Sequence, residues 1–118
     1  LTERRPPVAD FIIPLKSDSP HFDLSVDLSG REYRLEFEWS VRESSWYVQL
    51  YTDTDDHLYS AKLVVGVPIG HRSVDPRMPS GYLLATDTTG RDLEPQWDES
   101  TKRGDLGKRV VLQYFETL

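Results

Sequence analysis

Residues 20–40, PHFDLSVDLSGREYRLEFEWS, restrict the fold more than any other part of this sequence. Apolar or aromatic residues occupy every second position on both sides of Ser29-Gly30, which is the period of a β-strand. They are Phe22, Leu24, Val26 and Leu28 before this dipeptide and Tyr33, Leu35, Phe37 and Trp39 after it. The pattern predicts two strands joined by a two-residue turn.

The pairing register of this hairpin is testable, because a slip by one residue would turn every apolar side chain to the opposite face. With Ser29-Gly30 as the loop, the facing apolar pairs are Val26 with Tyr33, Leu24 with Leu35, and Phe22 with Phe37. The same register places Asp27 opposite Glu32 and Asp23 opposite Glu36. Like charges that face each other destabilise a sheet slightly, so folding alone does not require them.

The outer face of the hairpin is therefore predicted to be acidic, and its residues are Asp23, Asp27, Glu32, Glu36 and Glu38. One interpretation is a solvated face whose repulsion is relieved by Arg34 and by salt. The other is a face turned to a basic partner, or to a passage that must repel nucleic acid. Both interpretations remain open from the sequence.

Length and composition limit the class of protein. The 118 residues are enough for one ordinary domain with a real core. There is no cysteine, which excludes disulfides and thiolate metal sites. No apolar run reaches the length of a membrane span and no signal peptide is recognisable. We expect a chain that is soluble and intracellular at synthesis and has no membrane partner.

The charge balance argues against phosphate binding as the main function. Lys and Arg total 14 against 20 for Asp and Glu, giving a net charge of -6. We expect no direct, specific binding of nucleic acid. An acidic wall along a DNA passage would still agree with this balance.

The remaining sequence predicts an extended N-terminal arm over residues 1–9 and a single β domain over residues 10–118. The arm contains Arg4 and Arg5 followed by two prolines. It is either a frayed end or a tether that lies on a neighbouring subunit and pairs with its acids. Further strands are predicted at 11–15, 46–52, 57–67, 81–87 and 109–115, with long loops at 66–81 and 91–107. The predicted fold class is all-β, a single-domain antiparallel β-sandwich or small β-barrel with two long loops.

No motif for catalysis or metal binding stands out. The acidic turn at 53–57 lacks the glycine and the glutamate of a calcium loop, where Leu58 and Val64 stand instead. The three histidines share no ligand spacing. A nucleophile elbow and a glycine-rich phosphate loop are also missing. We expect no cofactor, no metal and no enzyme, with a small hydrolase built on a loop histidine as a remote alternative.

The aromatic residues leave a second function open. Trp39 and Trp46 are expected to face the core. Tyr47 and Tyr51 lie on the opposite face and could stack on a sugar, which supports the alternative of a carbohydrate-binding β-sandwich module. Trp97 lies in a charged loop and is either a lid folded onto the end of the domain or an anchor in a partner's pocket.

Several short motifs occur in a characteristic order along the chain. They are Ile13-Pro14-Leu15, Glu38-Trp39, Trp46-Tyr47, Asp53, Leu63 to Gly66, His71-Arg72, Asp75-Pro76, Pro79 to Gly81, Leu83 to Ala85, Asp87, Gly104 to Gly107, and Arg109. This order resembles the baseplate plug proteins of contractile-tailed phages, particularly the plugs of minimal cyanophage baseplates. The resemblance covers residues 11–115, although residues 93–102 are longer and more charged than the family pattern.

The resemblance implies a virion structural protein that acts as a plug in the central hub of a contractile tail baseplate. Such a plug closes or organises the end of the tail tube through protein-protein packing. The implied partners are hub, spike and tube-initiator type tail proteins, in a symmetric multi-copy assembly around the tail axis. The implied location is the tail baseplate of the virion, with the host cytoplasm during assembly.

Seven residues are candidates for the partner interface, and they are Arg4, Arg5, Arg72, Asp75, Trp97, Asp105 and Arg109. The segment 104–107 with Arg109 has two interpretations. It could carry assembly specificity, multiplied by symmetry. It could instead be a tight turn in which Asp105 caps the backbone.

Overall fold

The computed structural model describes residues 11–69, 76–79 and 81–115. The strands in these ranges are β1 (Phe11–Ile13), β2 (His21–Leu28), β3 (Arg31–Ser40), β4 (Ser45–Thr52), β5 (His57–Lys62), β6 (Tyr82–Asp87), β7 (Trp97–Asp98), β8 (Arg103–Gly104) and β9 (Val110–Phe115). The described ranges contain no helix, and so none with the length and apolar character needed to cross a bilayer. The predicted arm at residues 1–9 lies outside the described residues, so the division into arm and domain stays a prediction.

The predicted hairpin is confirmed in its register. Strands β2 and β3 pair antiparallel so that Phe22 faces Phe37 and Asp23 faces Glu36. Ser29 and Gly30 have φ values of 56° and 83°, which are the values of a type I′ turn whose twist matches that of the strands. Strands β4 and β5 continue the meander, and the sheet order is β2-β3-β4-β5.

A second sheet has the order β1-β9-β6, and β7 pairs with β8 in a separate short ribbon. The buried apolar side chains of the two larger sheets belong to one cluster. Its strand members are Ile13, Phe22, Leu28, Tyr33, Leu35, Phe37, Trp46, Val48, Leu50, Leu83, Ala85, Trp97, Val110, Leu112 and Tyr114. The architecture is an all-β, sandwich-like fold, and the described strands do not close into a barrel.

Two predicted strands end earlier in the structure, and one predicted loop contains strands. The strand predicted at 11–15 ends at Ile13, because Pro14 has no N–H to donate to the sheet. The strand predicted at 57–67 ends at Lys62, and Val65 then makes only a single parallel bridge to Ala85. The loop predicted at 91–107 contains the β7–β8 ribbon.

Replacing Phe37 tests the shared core. Its side chain is fully buried and stacks on Phe22 with ring centroids 5.0 Å apart. We expect Phe37→Ala to lower the free energy of unfolding by about 3–5 kcal/mol, because it removes apolar contacts and leaves a cavity. Urea unfolding followed by tryptophan fluorescence measures this change.

Val41→Ala is the matched control, because Val41 is 77% exposed in the β3–β4 turn. Its effect should stay within about 0.5 kcal/mol. Equal effects of the two substitutions would contradict a core built on Phe37.

Candidate functional site

The outer surface of the four-stranded sheet is acidic, as the hairpin register requires. Its carboxylates are Asp23, Asp27, Glu32, Glu36 and Glu38, here called the acidic face. All except Glu36 are exposed, and Glu36 is half-buried. The same surface carries two permanent cations, Arg34 on β3 and Lys62 on β5. The carboxylates therefore outnumber the cations on this surface.

Arg34 links three elements across the acidic face. Its Nη1 donates to Asp23 Oδ2 at 3.3 Å, and its Nε donates to Asp55 Oδ1 at 2.9 Å. Its guanidinium lies 4.1 Å from the centroid of the Tyr51 ring. The hydrogen bond that Arg34 donates to Asp55 is the largest influence that raises the pKa of Arg34. The predicted relief of repulsion by Arg34 thus has a definite geometry, although these pairs are partly exposed and weakly stabilising.

The two tyrosines proposed as a sugar platform are engaged in contacts on this surface. One ring face of Tyr51 is covered by Arg34, and burial followed by the charge of Glu36 raises the pKa of Tyr51. The hydroxyl of Tyr47 donates to Glu43 at 2.5 Å, and this hydrogen bond raises the pKa of Tyr47. A sugar stacking on Tyr51 would have to displace Arg34 from that ring face.

The acidic turn between β4 and β5 is organised by local hydrogen bonds. The hydroxyl of Thr52 accepts from the backbone N–H groups of Thr54 at 3.2 Å and Asp56 at 3.0 Å. Thr52 therefore provides a side-chain contact to the backbone that organises this turn. Throughout the described ranges, no group of three or more His, Cys, Asp or Glu residues is placed to hold a metal.

A second polar cluster surrounds Arg109, which precedes β9. Its Nη1 donates to Asp87 Oδ2 at 2.7 Å and to the carbonyl of Leu93 at 2.9 Å. Its Nη2 donates to the carbonyl of Glu94 at 2.9 Å and to Asp105 Oδ2 at 3.0 Å. We call Asp87, Asp105 and Arg109 the Arg109 cluster. One guanidinium thus joins the end of β6, the following loop and the segment before β9.

Asp87 is the buried anion of this cluster, and its side chain is 0% exposed. Its Oδ1 accepts from the hydroxyl and the backbone N–H of Thr89, while Oδ2 accepts from the backbone N–H of Leu93 and from Arg109. The hydrogen bond from the Thr89 side chain is the largest cause that lowers the pKa of Asp87. The backbone bonds and the charge of Arg109 add to it, against the opposing effect of burial. Asp87 is therefore held ionised.

Asp105 shapes the turn that leads into β9. Its backbone carbonyl accepts from the N–H groups of Lys108 and Val110, both at 3.1 Å, and its Oδ2 accepts from the backbone of Gln96 at 3.2 Å. Gly107 has φ 78° and approaches the β1–β2 loop so closely that a Cβ would lie 2.8 Å from a backbone oxygen. The segment 104–107 is consequently packed against its own chain, and a partner contact there stays a prediction.

Trp97 lies on β7 and is only 7% exposed. Its ring meets Trp46 edge to face, with centroids 6.4 Å apart, and its Nε1 donates to Glu99 at 2.8 Å. Gly104 on β8 allows this position, because a Cβ there would lie 2.9 Å from the indole. Trp97 therefore folds onto the core, which is the lid geometry, and a role as a partner anchor stays a prediction.

The other four interface candidates, Arg4, Arg5, Arg72 and Asp75, lie outside the described residues. The structure brings the remaining three to one end of the sandwich, where β7, β8 and the start of β9 meet. It also adds Asp87, which the interface prediction missed. A signal for Asp87 was present, because Leu83, Ala85 and Asp87 share one face of β6 and the first two are buried.

Asp87→Asn tests the electrostatic part of this cluster. The folded-state pKa of Asp87 lies below its ordinary value of 3.8, so its ionisation stabilises the fold above that pH and this contribution is lost as the pH falls below it. We expect the variant to unfold at lower urea concentration than the wild type at pH 7. The difference should shrink as the pH falls below about 4.

Asp18→Asn, at an exposed loop position, is the control and should leave the pH 7 midpoint unchanged. A difference between wild type and Asp87→Asn that stays constant down to pH 2 would contradict the ionised role of Asp87.

The comparison with known families gives a single positive finding. The family model described as "Cyanophage baseplate Pam3 plug gp18" matches residues 11–117, which include every strand described above. No curated protein matches the chain. The match spans nearly the full sequence and agrees with the motif order, and this chain therefore belongs to the family of the cyanophage baseplate Pam3 plug gp18.

Proposed function

We propose that this protein is a plug in the central hub of a contractile phage tail baseplate, where it closes or organises the end of the tail tube. Membership of the plug family already gives a structural role in the baseplate, and hence a place in the virion tail beside other baseplate proteins. The proposal adds the hub position, several copies around the tail axis, contacts with hub, spike and tube-initiator type proteins, and assembly in the host cytoplasm. It assigns no reaction and no cofactor.

The observation that carries the proposal is the family match over residues 11–117. The interior of the described residues is closely packed, because an enclosed apolar gap lined by Leu35, Leu50 and Leu83 holds only about 10 Å³. Pockets for small ligands typically hold about 300–1,000 Å³, so this gap has no room for one. Cavities of that size are open grooves at the surface, of about 520 Å³ beside Trp97 and about 460 Å³ beside Glu32.

The acidic face suggests how such a plug would treat DNA. Exposed carboxylates on the surface of a sheet repel phosphate over about one Debye length, which is about 8 Å at physiological salt. A plug wall with this charge would let DNA pass without adhesion. We therefore propose that the acidic face is turned to the channel or to a basic neighbour.

Immuno-electron microscopy tests the location. An antibody raised against this chain should label the distal tail end of intact particles of the phage that encodes it. Contracted particles should be compared in parallel, because loss of label on contraction would indicate that the plug is displaced. Absence of label on permeabilised particles, with the protein free in infected cells, would overturn the proposed location.

Charge reversal tests the channel-facing role. Glu32 and Glu38 are exposed on the acidic face, so Glu32→Lys combined with Glu38→Lys should leave the fold intact. We expect slower genome ejection in vitro, because the added positive charges would hold passing phosphates. The slowing should weaken as salt is raised.

Asp18→Lys combined with Asp92→Lys is the matched control, because it makes the same charge change at exposed positions in the β1–β2 and β6–β7 loops. These particles should eject DNA at the wild-type rate. Unchanged ejection by the Glu32 and Glu38 variant, once its incorporation is verified, would remove the channel-facing role.

A further inference from the structure

The two larger sheets have four edges, and they differ in how they are protected against pairing with another chain. On the three-stranded sheet, β1 has only three residues and is followed by Pro14, while β6 is bridged by Val65 and Ile69. On the four-stranded sheet, the pairing of β5 is irregular at Leu50, and β5 ends in Lys62. Short length, proline, bulges and lysine all discourage strand addition.

The β2 edge is the least protected of the four, although Pro20 directly precedes it. It is eight residues long, pairs regularly with β3, and contains neither proline nor lysine. Among the described residues, no strand is hydrogen-bonded to its outer side. It is therefore the long, regular edge of this sandwich that another strand can extend.

The register identifies which backbone groups of β2 point outwards. Leu28 and Arg31 flank the two-residue turn and so form a hydrogen-bonded pair. In an antiparallel pair the residues alternate between hydrogen-bonded and non-hydrogen-bonded positions. The N–H and C=O groups of Asp23, Ser25 and Asp27 are consequently directed away from β3, where an added strand would meet them.

The side chains along this edge specify what kind of strand would fit. On the outer face, Asp23 and Asp27 are exposed carboxylates two positions either side of Ser25. On the inner face, Leu24 and Val26 are only half-buried, although they pack against the core. An added strand would gain by placing basic side chains on the outer face and apolar ones on the inner face.

We infer that the β2 edge binds an extended segment of another baseplate protein, by strand addition, and that this segment alternates basic and apolar residues. The inference rests on the proposed function and names one contact of the assembled plug. Main-chain hydrogen bonds to β2 would supply affinity, and the alternating side chains would supply specificity.

Two occupants from this chain itself fit less well. A second copy of β2 would bring the carboxylates of Asp23 and Asp27 from both copies together. The N-terminal arm has Arg4 and Arg5 as sequence neighbours, so a strand there would direct one of them at Leu24 and Val26. A segment from a different protein avoids both conflicts.

Hydrogen exchange on wild-type protein is the first test. In the free protein, the amides of Asp23, Ser25 and Asp27 should exchange rapidly, while those of Leu24 and Val26 should be protected by β3. In purified baseplates the three outward amides should slow by about tenfold or more. Residue-resolved mass spectrometry measures both states.

A proline at Ser25 is the second test, because its ring would occupy the place of the outward N–H without removing a bond to β3. We expect Ser25→Pro to lower incorporation into baseplates by about tenfold, through the lost hydrogen bond and the clash with an added strand. Ser25→Thr is the matched control and should incorporate normally. Protection of the Leu24 and Val26 amides in the free Ser25→Pro variant would show that the variant folds. If the variant does not fold, hydrogen exchange on the wild-type protein decides whether the β2 edge is occupied.

Photo-crosslinking identifies the occupant. A photo-reactive phenylalanine at Ser25 should attach, in assembled baseplates, to a segment of another protein with alternating basic and apolar residues. A segment without that alternation would overturn the proposed chemistry. Protection of the outward amides that rises with concentration of the purified chain alone would show a second copy instead, and would also overturn it.

The outcomes separate this inference from the proposed function. Plug that is present in baseplates, but whose outward amides exchange as in the free protein, overturns the edge contact and leaves the baseplate role intact. Normal incorporation of folded Ser25→Pro has the same meaning. Plug that is missing from baseplates overturns the proposed function, and the edge contact with it.

Discussion

The apolar pairs across the β2–β3 hairpin determine the chemistry of both sides of the four-stranded sheet. Ser29 and Gly30 adopt positive φ values, and the resulting two-residue turn permits one register. That register buries Phe37 and forces Asp23 to face Glu36. The acidic face is thus tied to the core, because a slip by one residue would expose the apolar residues. A slip by two residues would keep them buried but would not fit the two-residue turn at Ser29 and Gly30.

The Arg109 cluster has a different structural role, because it holds irregular segments of the chain together at one end of the sandwich. The segment between β6 and β9 contains only the four strand residues of β7 and β8. Arg109 reaches both backbone carbonyls and carboxylates in this region, and its planar fork suits such convergent contacts. Burial works to lower its pKa, but Asp105 and then Asp87 outweigh that effect and keep the guanidinium charged.

Features of the fold that depend on neighbouring residues in the sequence could be predicted from the sequence pattern. The hairpin, its register and the strand predicted at 109–115 all follow from a period of two over contiguous residues, and the structure contains each of them, the last as β9. The apolar run 63–65 misled the prediction, because a run without alternation does not show where a strand ends. The ribbon formed by β7 and β8 was missed since each strand has only two residues and most of its neighbours are charged or polar.

Long-range contacts were harder to predict from the sequence. Asp87 and Arg109 are 22 positions apart, and no spacing rule joins residues at that distance. Trp97 is unusual in its charged loop, but its contact with Trp46 joins the β7–β8 ribbon to the four-stranded sheet and so depends on the ribbon. Asp87 could have been placed from the alternation of β6, since a carboxylate on a buried face needs donors or a cation. The sequence did not reveal which cation that would be.

A plug in a multi-copy assembly would need both attraction and exclusion, and the β2–β3 hairpin can supply both at different ranges, with Asp23 and Asp27 belonging to the acidic face and to the β2 edge. Charge on the acidic face acts over several ångströms and is screened by salt, so it can exclude phosphate without selecting one partner. Hydrogen bonds along β2 act only at contact and depend on register, so they can select one segment. Because symmetry repeats every contact, a modest affinity at each β2 edge would suffice for stable assembly. The same hairpin register would then serve folding, exclusion and recognition together.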